Sequence, residues 1–293
     1  MIKGDSPFHV EQGVGNFFNP HHLQGYFNDL TKKVTCPSDI VSGLPVVPTL
    51  SGDRIHFSIA IFQYGLGCHD LLLERKSEDL DYKFRLTLDW AVSTLDELGR
   101  WETFSFIYPE NPYSAMAQGQ GISLLLRGFQ YYGETRYSEA AKKAVEFLLK
   151  PVKDGGVCYY DGKGGLIFKE YTHKATVLNG WIFAYFGLFD YCLVFPEEKR
   201  MNTIRTKALT SLLGSLNNFD NNYWSFYNDK GLIASGFYHK LHIAQLKALL
   251  VAHEDETLRV IIRNFEEYER NIFAKLYAFM VKVIQKIVKI NRK

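Results

Sequence analysis

Glu170 and Tyr171 are adjacent in the chain, and a carboxylate next to a phenol can accept and donate protons in an enzyme. Lys169 precedes the pair, and His173 and Lys174 follow it. The same composition is common in solvated surface loops. This segment alone therefore leaves a proton-transfer site and an ordinary charged loop as alternatives.

A second candidate group lies about 55 residues later, where Tyr227 and Lys230 straddle a predicted turn at 228–231. A nearby cation lowers the pKa of a phenol, so Lys230 would make Tyr227 a plausible base. The alternative is an ordinary aromatic hairpin. This segment alone leaves both interpretations open.

The third group is Tyr238-His239-x-x-His242. His239 and His242 are three residues apart and share one face of a predicted helix. A metal site would need further ligands, and neither an H-E-x-x-H motif nor a nearby cysteine supplies them, so we expect no metal. Tyr238 lies at the predicted start of the helix, where it can face a cleft.

Gln118, Gln120 and Arg127 belong to a fourth motif, SAMAQGQG, and to the helix that continues it. No strand precedes this motif and it lacks G-x-G-x-x-G, so it does not predict a dinucleotide site. We expect no cofactor. Its small residues favour close packing of helices, and the two glutamines either bind a ligand or satisfy buried backbone groups.

A repeated pair of helices is the element that would position these residues. Four segments rich in small residues begin at residues 57, 113, 175 and 237, which are 56, 62 and 62 residues apart. An amphipathic helix follows each one, near 80–98, 136–149, 199–216 and 256–270. The pattern predicts a mainly α fold, an incomplete α/α toroid of about four helical hairpins. The alternative is an irregular helical domain with coincidental spacing.

The long loops before the repeated helices contain two predicted β-hairpins, VCYYDGKGGLIFKEY and YWSFYNDKGLI. Loops at one end of a rigid scaffold often carry the functional site. We divide the chain into an irregular and β segment at 1–50, a helical catalytic domain at 51–272 and a basic amphipathic helix at 273–293. The last helix docks on the domain or in a homodimer, which we favour, or lies on a membrane surface.

Composition limits the classes of partner. The formal net charge of +2 gives no general electrostatic case for nucleic acid. Aromatic residues make up 15% of the chain, which suits a helical core and also the stacking of sugar rings. The sequence has no apolar signal segment, no transmembrane run and no paired cysteines, so we expect a cytoplasmic protein.

Together the motifs resemble a known family. YSAMAQGQGISLLLRGF, EYTHKATVLNGWIFAYFGLFDY and YHKLHIAQL, in this order, resemble the C-terminal helical domain of the D-glucuronyl C5-epimerases. FQYGLG at 62–67 resembles the first helix of that domain, so the similarity spans roughly residues 45–270. The resemblance implies an isomerase without a cofactor that converts D-glucuronate to L-iduronate within a polysaccharide. In animals such enzymes act in glycosaminoglycan biosynthesis, on heparan sulfate precursors.

The resemblance also implies which residues form the site. The matching catalytic positions are Glu170, Tyr171, Tyr227, Tyr238 and His242. Lys230 stands where the family has Arg, and it lacks the two-pronged geometry with which Arg binds a carboxylate. The candidate substrate-binding residues are Lys230, His239, Gln118, Gln120, Arg127, Asn179 and Tyr64.

The chemistry requires a proton acceptor on one face of C5, a proton donor on the other and groups that stabilise an enediolate-like dianion. We hypothesise that Tyr238 and either Tyr227 or Glu170 form this pair. His242 would orient them and Lys230 would lie near the substrate carboxylate. A polysaccharide lyase, a glycoside hydrolase with a second carboxylate and a non-catalytic glycan-binding module remain alternatives.

Overall fold

The computed structural model describes residues 9–36, 39–49, 51–162 and 164–291. Its helices are α1 Lys32–Thr35, α2 Ser58–Glu74, α3 Glu78–Thr94, α4 Ala115–Tyr132, α5 Thr135–Leu148, α6 Leu178–Val194, α7 Lys199–Ser215, α8 Gly236–Ala252, α9 Glu256–Arg270 and α10 Ile272–Asn291. The strands are β1 Ile40–Val41, β2 Leu44–Pro45, β3 Val47–Pro48, β4 Arg54–Ile55, β5 Cys158–Tyr160 and β6 Leu166–Phe168. The chain is therefore mainly helical.

Two kinds of helix alternate from α2 to α9. The even-numbered helices are buried over most of their length, and in α6 every residue from Leu178 to Cys192 is buried. The odd-numbered helices bury less of their surface, and in α9 the buried residues are Leu258, Ile261, Ile262 and Phe265. This spacing places one stripe of α9 against the domain. The predicted helical hairpins are confirmed.

Successive inner helices pack on one another: α4 lies against α2 and α6, and α8 lies against α6. Each outer helix packs on the inner helix that precedes it. Helices α4 and α6 approach most closely at Gly119 and Gly187, where a Cβ atom built on Gly187 would lie 2.5 Å from the Cα atom of Gly119. The prediction that small residues permit close helix packing is confirmed here.

The described part of the N-terminal segment contains α1 and the short antiparallel hairpin β1–β2, and a second hairpin pairs β3 with β4 across the predicted boundary at residue 50. Residues 1–8, 37–38 and 50 of the predicted segment lie outside the described residues. Tyr26 and Phe27 are fully buried, and the Phe27 ring stacks on Phe186 at 3.8 Å between centroids. Part of this segment therefore completes the core of the helical domain.

Arg127 joins the same segment to α4 and α6. Its guanidinium forms a buried ion pair with Asp190, with 2.6 Å between Nη1 and Oδ2. It also donates hydrogen bonds to the carbonyl oxygens of Gln24, Gly25 and Ser123, each at 3.0 Å. All three guanidinium nitrogens are thus engaged inside the protein.

The two predicted hairpins differ in regularity. Strands β5 and β6 pair antiparallel with Cys158 opposite Phe168. In the second segment an isolated bridge pairs Phe226 with Ile233, and these two residues enclose the predicted turn at 228–231. Among the described helices, none combines the length and the apolar character needed to cross a bilayer.

Candidate active site

Glu170 follows β6, and its side chain lies against the first turn of α6. A Cβ atom built on Gly180 would lie 2.6 Å from the Cβ atom of Glu170, so only glycine leaves room for this side chain. Glu170 is 5% exposed. Its Oε2 atom has no hydrogen-bond partner among the described residues.

Three phenols, of Tyr171, Tyr227 and Tyr238, adjoin the Glu170 carboxyl; burial raises the pKa of each, and the charge of Glu170 raises it further. All three side chains are partly exposed. The rings of Tyr227 and Tyr238 lie 4.7 Å apart between centroids. A buried carboxyl thus lies within a group of phenols that solvent can reach.

Backbone contacts bring these residues together from three separate parts of the chain. The amide of Leu178, the first residue of α6, donates to the Tyr227 carbonyl at 3.2 Å. The Thr176 amide donates to the Asp229 carboxylate at 3.0 Å. These bonds tie the loop that carries Glu170 to the hairpin that carries Tyr227.

The pKa of the Glu170 carboxyl lies close to neutral pH. Burial raises its pKa to about 7, although a hydrogen bond from Tyr171 and the positive charge of Lys174 both lower it. Desolvation disfavours the charged form of a carboxyl, so its burial outweighs the two favourable contacts. Both protonation states of Glu170 are populated near pH 7.

The phenols behave differently from the expectation that a cation would lower the pKa of Tyr227. Burial, followed by the charge of Glu170, raises the pKa values of Tyr227 and Tyr238, so both phenols keep their protons at neutral pH. Lys230 is exposed on the turn, and its charge, after the effect of burial, helps to lower the pKa of Lys169. The expectation was wrong because desolvation of the phenol dominates.

Lys174 is the cation that approaches the buried carboxyl. Its Nζ atom lies 3.7 Å from the ring centroid of Tyr108 and 4.8 Å from that of Tyr171. Phe104 stacks on Tyr171 at 4.5 Å between centroids. Tyr108 and Phe104 were not identified from sequence, although their loop precedes an inner helix and is rich in aromatic residues.

His239 is fully buried and faces the protein interior. Its Nε2 donates to the Phe265 carbonyl at 3.0 Å, and its ring stacks on Trp224 at 3.7 Å. Its Nδ1 lies 2.8 Å from the Ser225 hydroxyl. With both ring nitrogens engaged, His239 has no atom left for a substrate, contrary to its assignment from sequence.

His242 is joined to the same serine, with 2.9 Å between its Nδ1 atom and Ser225 Oγ. Because Nε2 of the neutral His239 ring carries the hydrogen, Nδ1 of His239 is an acceptor. We therefore assign the hydroxyl hydrogen of Ser225 to the contact with His239 Nδ1. His242 Nδ1–H then donates to Ser225, and its Nε2 keeps a lone pair with no partner among the described residues. Burial lowers the pKa of His242 to about 3, so the ring is neutral.

Ser225 is therefore a residue that sequence reasoning missed. It lies between Trp224 and Phe226 in the hairpin, and no spacing linked it to the histidines. His242 was expected to orient the proton-transfer pair. It lies one helical turn after Tyr238, on the same face of α8.

Gln118 satisfies buried backbone groups. Its Oε1 atom accepts from the Trp101 amide at 3.1 Å, and its Nε2 donates to the carbonyls of Gly99 at 2.9 Å and Ala144 at 3.2 Å. Of the two sequence interpretations for Gln118, the structure supports the backbone role. A substrate would have to displace these bonds.

The other candidate contacts divide into two groups. Gln120 is buried beside Tyr26, and Tyr64 is buried in α2. The nitrogens of Arg127 are engaged in the core. The structure does not bring these three side chains to the group of Tyr171, Tyr227 and Tyr238. Asn179, in contrast, is adjacent to Gly180 in the first turn of α6. Its Oδ1 atom is buried without a partner among the described residues.

Comparison with known proteins identifies the family to which the matched region belongs. The family model described as D-glucuronyl C5-epimerase C-terminus matches residues 98–267, a range that includes Glu170 and Tyr238. The FQYGLG motif precedes that range. A D-glucuronyl C5-epimerase of Caenorhabditis elegans is 27% identical over 214 residues, which cover 64% of this chain and 35% of the relative.

The chain thus spans about a third of the length of that relative. The family match covers 170 of 293 residues, counted from 98 to 267, which is more than half of the chain. With the Glu-Tyr pair, the hairpin tyrosine and the Tyr-His-x-x-His segment all inside the match, the chain belongs to the D-glucuronyl C5-epimerase family through the family's C-terminal region.

Proposed function

We propose that this protein epimerises D-glucuronate residues at C5 within a polysaccharide, giving L-iduronate. The observation that carries this proposal is the buried Glu170, with a pKa of about 7, beside phenols that keep their protons. A base is most effective when its pKa lies near the working pH. Membership of the C5-epimerase family supports the same reaction.

In the proposed mechanism the Glu170 carboxylate accepts the C5 proton and becomes a neutral carboxylic acid. The electron pair moves into the substrate carboxylate, forming an enediolate-like dianion that Lys174 stabilises. Tyr238 donates its phenolic proton to the opposite face of C5. The configuration is then inverted, and exchange with solvent returns both residues to their starting states.

This assignment chooses Glu170 over Tyr227 as the partner of Tyr238. The pKa of Tyr227 lies well above 10, so a negligible fraction is ionised at neutral pH. Burial and the charge of Glu170 raise the pKa of Tyr238, and a hydrogen bond from Tyr227 offsets part of that rise, which suits a supporting role. Tyr227 would stabilise the Tyr238 anion after proton donation.

The substrate in this proposal is a polymer that contains uronic acid. Tyr171, which adjoins the carboxyl, contacts the rings of Phe104 and Tyr108, and the partly exposed Tyr108 and Tyr171 suit contact with a pyranose ring. We also propose that the four hairpins form an incomplete α/α toroid, with the site at the end where the inner helices begin. The contacts between successive inner helices support that arrangement.

The test follows C5 of glucuronate by NMR in heavy water, with desulfated glucuronate polymers as substrates. We expect deuterium at C5 together with iduronate signals. Glu170→Gln and Tyr238→Phe should each lower the rate by about 10²–10⁴-fold, the usual contribution of a general acid or base.

Tyr223→Phe is the matched control, because this partly buried tyrosine on the same hairpin contacts Tyr277 instead of the carboxyl. It should retain the wild-type rate. Polymer binding without deuterium uptake would refute the proposal, and so would an unsaturated chromophore, the product of a lyase. Full exchange in Tyr238→Phe would overturn the assignment of the proton donor.

A further inference from the structure

Helix α10 packs on the domain through small and polar residues. The residues that face the protein are Ala274, Ala278, Val281 and Gln285, which recur at helical spacing. Its ten large apolar residues are 40–78% exposed, although Tyr277 also contacts Tyr223: Ile272, Phe273, Leu276, Tyr277, Phe279, Met280, Val283, Ile284, Ile287 and Val288. The usual orientation of an amphipathic helix on a globular domain is therefore reversed.

Specific hydrogen bonds fix this orientation. Gln285 Nε2 donates to the Gly231 carbonyl at 2.9 Å, and Gln285 Oε1 accepts from the Ile233 amide at 3.0 Å. Lys282 Nζ donates to the Ile233 carbonyl at 2.5 Å. Rotating α10 to bury its apolar face would break all three bonds, so the outward face belongs to the folded structure.

The exposed face is too large for an ordinary protein surface. Ten large side chains at roughly half exposure present on the order of 1,000 Å² of apolar area, whereas the largest patch on a typical monomer is about 300–600 Å². A patch of that size needs an occupant. The candidates are a second copy of this chain and a lipid surface.

The charge of the helix distinguishes these two occupants. Residues 271–293 contain six lysines and arginines and no acidic residue. Two copies of α10 side by side would offer no opposite charges to pair, although paired helices commonly use such pairs to fix their partner. An anionic lipid surface complements both parts of the helix. Its acyl region accepts the apolar face, and its headgroups attract the lysine flank, where Lys286 is exposed.

We propose that α10 docks in the plane of an anionic lipid surface. A helix of 20 residues with one broad apolar face and a basic flank binds at the boundary between headgroups and acyl chains. The same helix holds the hairpin of Tyr227, and its Lys282 Nζ lies 6.0 Å from the Tyr227 ring centroid. Docking would therefore place the candidate active site close to the lipid surface.

The test is cosedimentation of the full chain with vesicles of phosphatidylcholine alone or with about 30% phosphatidylserine. We expect binding to the anionic vesicles that weakens with added salt, because screening reduces the electrostatic attraction. Leu276→Ser/Ile287→Ser should lower the vesicle affinity by at least about tenfold, since two apolar side chains no longer insert.

Leu98→Ser/Val251→Ser is the matched control. These residues are 59% and 55% exposed, against 55% and 52% for Leu276 and Ile287, and they lie outside α10. The control should bind as the wild type does. An equal loss of vesicle affinity in both variants, or no binding of the wild type to anionic vesicles, would overturn the proposal. A dimer that depends on Leu276 and Ile287, without vesicle binding, would also overturn it. Vesicle binding needs no substrate, so it is independent of the epimerase test.

Discussion

Replacing Gly180 by alanine tests the placement of Glu170 with one methyl group. The new Cβ atom would lie 2.6 Å from the Cβ atom of Glu170 and would also overlap its carboxylate. Gly180 is in the first turn of α6, whose backbone lies in the core and cannot readily move. The Glu170 side chain must therefore shift.

The change in the free energy of unfolding expected for Gly180→Ala has two opposing contributions. Alanine in a helix is more favourable than glycine by about 0.5–1 kcal/mol. Overpacking of a buried site costs about 1–3 kcal/mol. We therefore expect Gly180→Ala to lower the free energy of unfolding by about 0–2.5 kcal/mol. A displacement of Glu170 near 1 Å should lower kcat by about 10²-fold.

Gly214→Ala provides the matched control. Gly214 lies near the end of α7, and a Cβ atom built there meets nothing within 4 Å. Only the helix preference remains, so this variant should be unchanged or more stable by up to about 1 kcal/mol. Urea unfolding of both variants measures the difference, and deuterium exchange at C5 measures activity.

A double-mutant cycle that combines Gly180→Ala with Glu170→Gly separates the clash with the Glu170 side chain from a general effect of the substitution on α6. In that background the obstructing side chain is gone, so Gly180→Ala should lose its cost. If Gly180→Ala is as stable and as active as Gly214→Ala, the packing of Glu170 against α6 is refuted. An equal cost in the Glu170→Gly background would assign the effect to α6 alone.

Three further predictions concern ionisation and hydrogen bonding. The kcat/KM of the wild type should rise with pH through about 7, because Glu170 must lose its proton to act as a base, and a flat profile would contradict this role. Ser225→Ala should destabilise the fold by about 1–3 kcal/mol, because the buried His242 Nδ1 loses its partner, whereas Ser225→Thr should recover much of the loss in urea unfolding. Arg127→Met should cost about 3–5 kcal/mol by leaving Asp190 buried without its cation, with a smaller cost at low pH, where Asp190 is protonated.

The helices could be predicted from the sequence because their periodicity reports burial directly. The outer helix predicted near 256–270 is observed as Glu256–Arg270, and the one near 136–149 as Thr135–Leu148. Each is amphipathic, so its apolar positions define its face. The small residues of SAMAQGQG likewise predicted close packing, which Gly119 provides.

The candidate site was harder to predict because its members interact across long separations in the chain. Ser225 joins two histidines that lie 14 and 17 residues later, and no local pattern marks that contact. Lys230 was placed near the substrate carboxylate because it straddles a predicted turn with Tyr227 and stands where the family has Arg. The fold instead directs Lys174 toward the carboxyl. Lys174 is only four residues from Glu170, so here the local sequence did contain the cation, and the contact of Ser225 with the two histidines is the part that only the fold reveals.

Burial sets the protonation states of the residues in this cluster. It raises the pKa of Glu170 into the range where the group can lose and regain a proton, and it raises the pKa values of the phenols further above neutrality. The same effect keeps His242 neutral. In an exposed site, Glu170 would be a weaker base with a pKa near about 4.3. The proposed direction of the first proton transfer, from C5 to Glu170, therefore follows from desolvation and does not require a tyrosinate.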